Sequence, residues 1–115
     1  LSTLATGRTG VRPGTVRAYA ALLDAGLTPV VHEYGSLGCS GDLAPLSSAA
    51  LALMGEGEVR DATGALRPAA EAMAEHGIAP VELAEKEGLA LVNGTDGMLG
   101  MLVLALGDLR RLLRV

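Results

Sequence analysis

The sequence has no tryptophan and no phenylalanine, and only two of its 115 residues are tyrosines. Half of the residues are nonetheless hydrophobic, so the core has to be built from Ala, Leu, Val and Met. Small aliphatic side chains of this kind favour close packing of helix against helix. The composition therefore predicts a mainly α-helical chain.

Several other features are scarce or absent, and each absence excludes a class of protein. The net charge is −4 and the chain has neither a Lys/Arg cluster nor stacking aromatics, which argues against binding of nucleic acid. A single cysteine excludes an internal disulfide, and no leader-like segment opens the chain, so a cytoplasmic location is predicted. The sequence His32-Glu33 lacks a second His or a Cys pair, so no metal site is expected.

No apolar run is long enough for a membrane span of about 20 residues. The longest, Gly97 to Gly107, predicts a buried helix instead, and we expect no membrane partner. The chain begins at Leu1 and stops at Val115 inside an apolar-periodic segment, which indicates a piece of a longer protein. It shows no internal repeat, and we interpret 1–115 as one unit, with residues 61–115 forming its second part.

Proline and glycine positions predict the elements. Before the last helix we expect four others, each bounded by proline or glycine. They cover Pro13 to about Ala25, Leu43–Met54, Pro68 to about His76, and Pro80–Gly88. A connector over 27–32 and a short hairpin over 58–67 complete the pattern. A last helix begins near Thr95 or Asp96, and its apolar residues nearly all round predict burial between neighbours.

The run Gly35-Ser-Leu-Gly-Cys-Ser-Gly-Asp-Leu-Ala-Pro-Leu46 crowds small residues around Ser40. Glycine permits tight or left-handed backbone, so the main chain there can fold closely. A hydrolase nucleophile elbow, Gly-x-Ser-x-Gly, fails because Asp42 stands where the last glycine is needed. Cys39 could be a thiolate nucleophile with His32 or His76 as its base, but nothing in the sequence connects either histidine to it.

This run closely resembles the signature of the aromatic amino acid ammonia-lyases. The resemblance continues in the expected order through almost the whole chain, in Gly10-Val-Arg-Pro13, Gly26-Leu-Thr-Pro-Val-Val31, Glu33-Tyr34, Met54-Gly-Glu-Gly-Glu-Val59 and Glu87-Gly-Leu-Ala-Leu-Val-Asn-Gly-Thr95. A match in several segments is far more specific than any single motif. It implies a segment of an elongated helical-bundle enzyme, about a quarter of a family chain in length.

The resemblance implies that Cys39, Ser40 and Gly41 are the precursor of a methylidene-imidazolone (MIO) electrophile. The ring would form autocatalytically from the backbone, so no external cofactor is expected. The commoner first residue of the family's tripeptide is Ala, and Cys39 departs from it at a side chain that lies outside the reacting atoms. Without the wider match, an ordinary Gly-Ser turn before a helix would be the simpler interpretation.

Two further residues match family positions. Asn93 corresponds to the residue that supports the ring and the substrate, although locally an Asn in a helix-entry turn, with Thr95 or Asp96 as cap, explains it equally well. Asp42 either caps the helix that follows the ring or assists ring formation, and we favour the cap. Tyr34 is expected to be structural. Ser48 replaces a His that is frequent in the members that act on histidine.

The implied reaction is non-oxidative elimination of ammonia from an aromatic amino acid. The motif favours L-histidine, which gives trans-urocanate, and the alternatives are a tyrosine or phenylalanine ammonia-lyase or an aminomutase of the same family. The base, the carboxylate-binding Arg and the lid tyrosines of the family find no match in these residues. Family enzymes are homotetramers, so this segment alone is expected to be inactive. A non-catalytic helical interaction module is the alternative from another class.

Overall fold

The computed structural model describes residues 1–37 and 42–114. The elements, in chain order, are α1 (Ser2–Ala5), α2 (Pro13–Asp24), β1 (Thr28–Pro29), α3 (Leu43–Leu53), β2 (Glu58–Arg60), β3 (Leu66–Pro68), α4 (Ala69–Glu75), α5 (Glu87–Val92) and α6 (Asp96–Leu112). The described part of the chain is mainly helical, with one small antiparallel sheet, which confirms the predicted fold class.

The sheet has the strand order β1-β2-β3 and contains the predicted hairpin. Val59 lies opposite Arg67 in β3 and opposite Pro29 in β1, so the expected connector contributes a short third strand. The hairpin turn is closed by Asp61, whose carboxylate accepts the Thr63 N–H at 2.9 Å and the Thr63 hydroxyl at 2.6 Å. These hydrogen bonds, the hydroxyl first, hold the pKa of Asp61 below its ordinary value.

A compact aliphatic core joins the sheet to helices α2, α3 and α4. Its buried members come from α2, α3, β2, α4 and the residue before β1, and they are Leu22, Leu27, Ala52, Leu53, Val59, Ala69, Ala72 and Met73. Tyr19 packs against this cluster, and burial raises its pKa to about 12. Leu, Met, Ala and Val side chains packed between the helices and the sheet thus take the place of Trp and Phe.

Helix α2 confirms the predicted start at Pro13, and it ends one residue before Ala25. Gly26 follows in the left-handed region, at φ +68°, which is the conformation that favours glycine after a helix. Helices α3 and α4 also lie within a residue or two of their predicted bounds.

The predicted helix over Pro80–Gly88 is wrong. Residues 80–84 are irregular, and α5 begins only at Glu87. Lys86, immediately before it, has φ +69°, a left-handed conformation that a helix cannot continue through. The Glu87 carboxylate accepts the Ala84 N–H at 2.7 Å, which fixes the turn that starts the helix.

The prediction that the last helix is buried is also wrong for this chain. Helix α6 begins at the predicted residue, but it has no buried residue, and Leu104 is 71% exposed. Its first residues contact Thr3 and α3, while the large apolar side chains further along it are exposed. An exposed apolar surface of this kind often marks an interaction site.

By length and composition, the stretch Glu87–Leu112 could cross a membrane, with a mean hydropathy of 1.6. The structure divides it into α5 and α6, with non-helical residues 93–95 between them. Its first residue, Glu87, is buried among hydrogen-bond donors of the protein. A break and an anchored carboxylate are both unfavourable within a lipid core.

Candidate functional site

The predicted site residues fall in three places, and the structure describes two of them. The ring precursor, Cys39, Ser40 and Gly41, lies outside the described residues, so its predicted role stays a prediction. Asp42 directly follows it and immediately precedes α3. Asn93 directly follows α5.

Asp42 is completely buried. Its side chain does not cap α3, so the favoured interpretation as a helix cap is wrong. The carboxylate instead turns toward the preceding segment, where the Ser36 hydroxyl donates a hydrogen bond to Oδ1. Within residues 1–37 and 42–114, no donor is hydrogen-bonded to Oδ2. A buried acceptor without a partner is costly, and each such group in a folded protein calls for an explanation.

The segment 93–97 lies against the beginning of α3. A Cβ atom placed on Gly94 would lie 3.9 Å from Cδ1 of Leu46, and one placed on Gly97 would lie 3.0 Å from Cβ of Asp42. Helix α3 also packs against both α5 and α6. The fold therefore brings the Asn93 segment and the Asp42 carboxylate, which are 51 positions apart, to one end of α3.

Asn93 itself is exposed and lines an open cavity of about 890 Å³ with Arg8, Tyr19 and Lys86 among its other lining residues. Its backbone N–H donates to the Leu89 carbonyl at 3.1 Å, which ties the residue to the end of α5. The expected cap on the following helix is not made, since neither Thr95 nor Asp96 forms a side-chain cap hydrogen bond. The Asp96 carboxylate accepts the Thr3 hydroxyl instead, at 2.7 Å.

A buried network at the other end of α5 anchors this segment. Oε1 of Glu87 accepts the Arg12 N–H at 2.7 Å and the Thr15 hydroxyl at 3.0 Å. Oε2 accepts Nη2 of Arg12 at 2.8 Å and the Ala84 N–H at 2.7 Å. The Arg12 guanidinium, followed by the backbone donors, lowers the pKa of Glu87 to about 2.

No local pattern in the sequence predicts this network. Arg12 and Glu87 are 75 positions apart, and each lies in a segment of the resemblance without a motif that pairs them. Only the packing of α2 against the start of α5 reveals the pair. The predicted structural role of Tyr34 is not seen either, because its side chain is 86% exposed.

Three other candidate positions, Ser48, His32 and His76, give weaker evidence for a functional site. Ser48, in the place of a frequent His, donates its hydroxyl to the Ala44 carbonyl of its own helix at 3.3 Å. His32 and His76 have no pairing with Cys39 that the described residues can test. In 1–37 and 42–114, no three His, Cys, Asp or Glu side chains form a group that could hold a metal ion.

The geometry brings a buried carboxylate and the segment of an exposed amide to one end of α3, and comparison with known proteins gives the family of the chain. The profile of the family described as Aromatic amino acid lyase matches residues 1–115, so the chain belongs to that family. It is 70% identical over 112 residues to the histidine ammonia-lyase of Streptomyces griseus, and 51% identical over 107 residues to the tyrosine ammonia-lyase of Cupriavidus metallidurans. These alignments cover 97% and 93% of the chain.

Solved structures agree. The phenylalanine aminomutase of Pantoea agglomerans superimposes with a TM-score of 0.78 over 90% of this chain, at 35% identity. That match covers 20% of the aminomutase, and the chain spans 22% of the Streptomyces griseus relative and 20% of the Cupriavidus metallidurans relative. The similarity therefore concerns one segment of a larger enzyme.

Proposed function

We propose that the complete protein is an ammonia-lyase that converts L-histidine to trans-urocanate and ammonia. The observation that carries this proposal is the difference in identity within the same segment, 70% to a histidine ammonia-lyase against 51% to a tyrosine ammonia-lyase. The geometry of the described residues bears on the lyase chemistry, and the choice of substrate rests on that difference in identity alone.

The electrophile of this reaction would be an MIO ring made from Cys39, Ser40 and Gly41. In its formation the Gly41 nitrogen bonds to the Cys39 carbonyl carbon, and the Gly41 N–H proton is transferred to the carbonyl oxygen. The resulting hydroxyl leaves as water with the Ser40 N–H proton. A second water takes the Ser40 hydroxyl and the Ser40 Cα hydrogen, which leaves an exocyclic methylidene.

The described residues next to the tripeptide suit this chemistry. Ring closure needs a group that accepts and returns a proton, and a carboxylate can do so. Asp42 offers one buried oxygen without a partner in the described chain, one residue after Gly41. We therefore assign Asp42 to ring formation and no longer to capping.

Once formed, the ring supplies an electrophile that takes up electron density from the substrate, which allows ammonia to leave. Asn93 would then support the ring and the substrate with its amide, which can donate and accept hydrogen bonds. Its position at the end of an anchored helix fixes the amide without occupying it. The base and the substrate carboxylate site would come from the rest of the chain.

The assembly, location and partners of the complete enzyme are part of the same proposal. The complete enzyme would be a homotetramer, and the exposed apolar surface of α6 is consistent with burial in the complete assembly. We propose a cytoplasmic enzyme that takes an amino acid and needs no external cofactor, nucleic acid or membrane. The segment alone would lack activity.

Activity of the purified complete protein on histidine, tyrosine and phenylalanine tests the proposal. Urocanate is measured by its ultraviolet absorbance, and the two other products are measured separately in the same buffer. We expect kcat/KM for histidine to exceed the other two by at least about a hundredfold, since a site that hydrogen-bonds a polar group of its substrate rejects analogues without that group by even more. Higher activity on tyrosine, release of a β-amino acid, or no turnover of any of the three would contradict it.

A further inference from the structure

The turn that carries Asn93 is short and lies between two helices. Residues 93–95 are non-helical and separate α5 from α6. Helix α5 has only six residues, which is too few for a helix that is stable by itself. The position of the Asn93 side chain therefore depends on how the two sides of this turn are attached to the rest of the fold.

Both sides of the turn are attached to the first part of the chain. Before the turn, Glu87 accepts two hydrogen bonds from Arg12, at 2.7 Å from its N–H and at 2.8 Å from Nη2. After the turn, Asp96 is the first residue of α6, and its Oδ1 accepts the Thr3 hydroxyl at 2.7 Å. Asn93 thus lies between two carboxylates that are both hydrogen-bonded to the same N-terminal stretch.

The Asp96 carboxylate lies beside the turn itself. While Oδ1 is bonded to Thr3, Oδ2 lies 2.8 Å from the place that a Cβ atom on Gly94 would take. Helix capping does not account for this orientation, because no side chain of the described residues caps α6. The carboxylate therefore lies between Thr3 and the residue next to Asn93.

The same residues line one cavity. Thr3, Asn93 and Asp96 all belong to the lining of the open cavity of about 890 Å³. The hydrogen bond between Thr3 and Asp96 is exposed, and a bond of this kind contributes only modestly to the free energy of unfolding. Its effect on the turn can therefore be measured without loss of the fold.

We propose that Thr3 is a positioning residue for Asn93. Its hydroxyl holds the Asp96 carboxylate, which lies against the turn, so that the Asn93 amide keeps the orientation that elimination requires. Glu87 fixes the other side, and the two attachments together restrict the turn from both ends. This inference rests on the proposed function, because it needs Asn93 to act in the reaction.

Thr3→Val in the complete protein removes the hydroxyl and keeps the shape of the side chain. We expect kcat for histidine to fall about tenfold, less than the factor of about a hundred that a displacement of about 1 Å can cost. KM should change little, because the Asn93 amide is still present and loses only its orientation. Thr3→Ser, which retains the hydroxyl, should restore the wild-type kcat. The urea unfolding midpoint should be nearly the same in all three proteins.

Thr6→Val is the matched control. The Thr6 hydroxyl also makes a hydrogen bond of 2.7 Å, but it donates to the Thr3 carbonyl within the same segment. The control removes the same group from the same type of residue and leaves the hydrogen bond to Asp96 in place, so it should retain the wild-type kcat. An equal loss of kcat in Thr6→Val and Thr3→Val would assign the effect to α1 as a whole and overturn the role of Thr3.

Hydrogen exchange measures the turn without relying on activity. Peptides that cover residues 93–96 should exchange faster in Thr3→Val than in the wild type, while exchange around Glu87 should stay the same. Asp96→Ala removes the acceptor of the same hydrogen bond. When it is combined with Thr3→Val, kcat should fall no further than in the more affected single variant. Losses of kcat that multiply would show that the two residues act independently and would contradict the inference.

The outcomes separate this inference from the proposed function. Unchanged exchange of residues 93–96 in Thr3→Val, or faster exchange with an unchanged kcat, would overturn the role of Thr3 and leave the reaction with histidine standing. A wild-type protein that does not turn over histidine would overturn the proposed function. The exchange measurement would still decide in that case whether Thr3 holds the turn.

Discussion

Arg12 holds Glu87 by its backbone and its side chain at once. Its N–H donates to Oε1 at 2.7 Å, and its Nη2 donates to Oε2 at 2.8 Å, which ties the start of α2 to the start of α5. Nη2 also reaches the Glu82 carbonyl at 2.6 Å. Because α5 has only six residues, an anchor at Glu87 fixes the position of Asn93 at its other end.

The first prediction concerns the pH dependence of this anchor. The pKa of Glu87 is lowered to about 2 in the folded protein from an ordinary value of 4.5, so ionised Glu87 stabilises the fold above pH 4.5. The contribution is lost as the pH falls from 4.5 toward 2. Glu87→Gln should lower the urea unfolding midpoint at pH 7, and the difference from wild type should shrink progressively below pH 4.5.

Glu85→Gln is the control, since Glu85 is exposed two residues earlier. This variant should have the same urea unfolding midpoint as the wild type, within error, at pH 7 and at pH 3. A Glu87→Gln difference that stays constant from pH 7 to pH 3 would show that the Glu87 charge does not stabilise the fold.

The second prediction concerns the hydrogen bond from Ser36 to Asp42. Ser36→Ala would leave both oxygens of a buried carboxylate without a donor in the described chain. The loss of a partner to such a group costs about 1–3 kcal/mol in the free energy of unfolding. We expect that loss in chemical denaturation, together with slower loss of two waters during synthesis. Ser47→Ala, which removes only a bond to the Leu43 carbonyl within α3, should do neither.

The third prediction concerns Asn93. Asn93→Ala should lower kcat/KM for histidine by about a hundredfold, as expected when one preorganised donor is removed from an active site. The unfolding midpoint should barely change, because the side chain is exposed and carries no fold contact among the described residues. Thr95→Ala, two positions on and also exposed, is the control and should retain activity. Nearly full activity in Asn93→Ala would remove Asn93 from the site.

The fourth prediction concerns Ser40. Ser40→Ala cannot lose the water that creates the methylidene, so elimination should fall by more than about a thousandfold, the scale of losing a covalent catalytic group. Circular dichroism and the oligomeric state of the complete protein should match the wild type. Retained elimination by this variant would contradict the electrophile assigned to Ser40.

Local signals made most of the fold predictable. Pro13 starts a helix, Gly26 and Gly77 end helices in the left-handed region, and the turn Asp61–Gly64 closes a hairpin, each by a preference of the residue itself. The error at Pro80–Gly88 has a non-local cause, because the start of α5 is set by Glu87 and its distant donors Arg12 and Thr15.

The candidate site was likewise predictable only in part. Cys39, Ser40, Gly41 and Asn93 are recognisable because their segments resemble the family, and the family match over the entire chain confirms the resemblance. The orientation of Asp42 was not predictable from its position before a helix, because its carboxylate accepts a hydrogen bond from Ser36, outside that helix. The exposure of α6 was not predictable either, because apolar residues nearly all round a helix are the pattern of a buried one.

The intact mass of the complete, folded wild-type protein tests the central claim most directly. We expect it to lie two water molecules below the mass of the encoded sequence, with the deficit confined to the peptide that carries Cys39, Ser40 and Gly41. A folded, assembled protein at the full encoded mass would contradict the proposal that this chain makes its own electrophile.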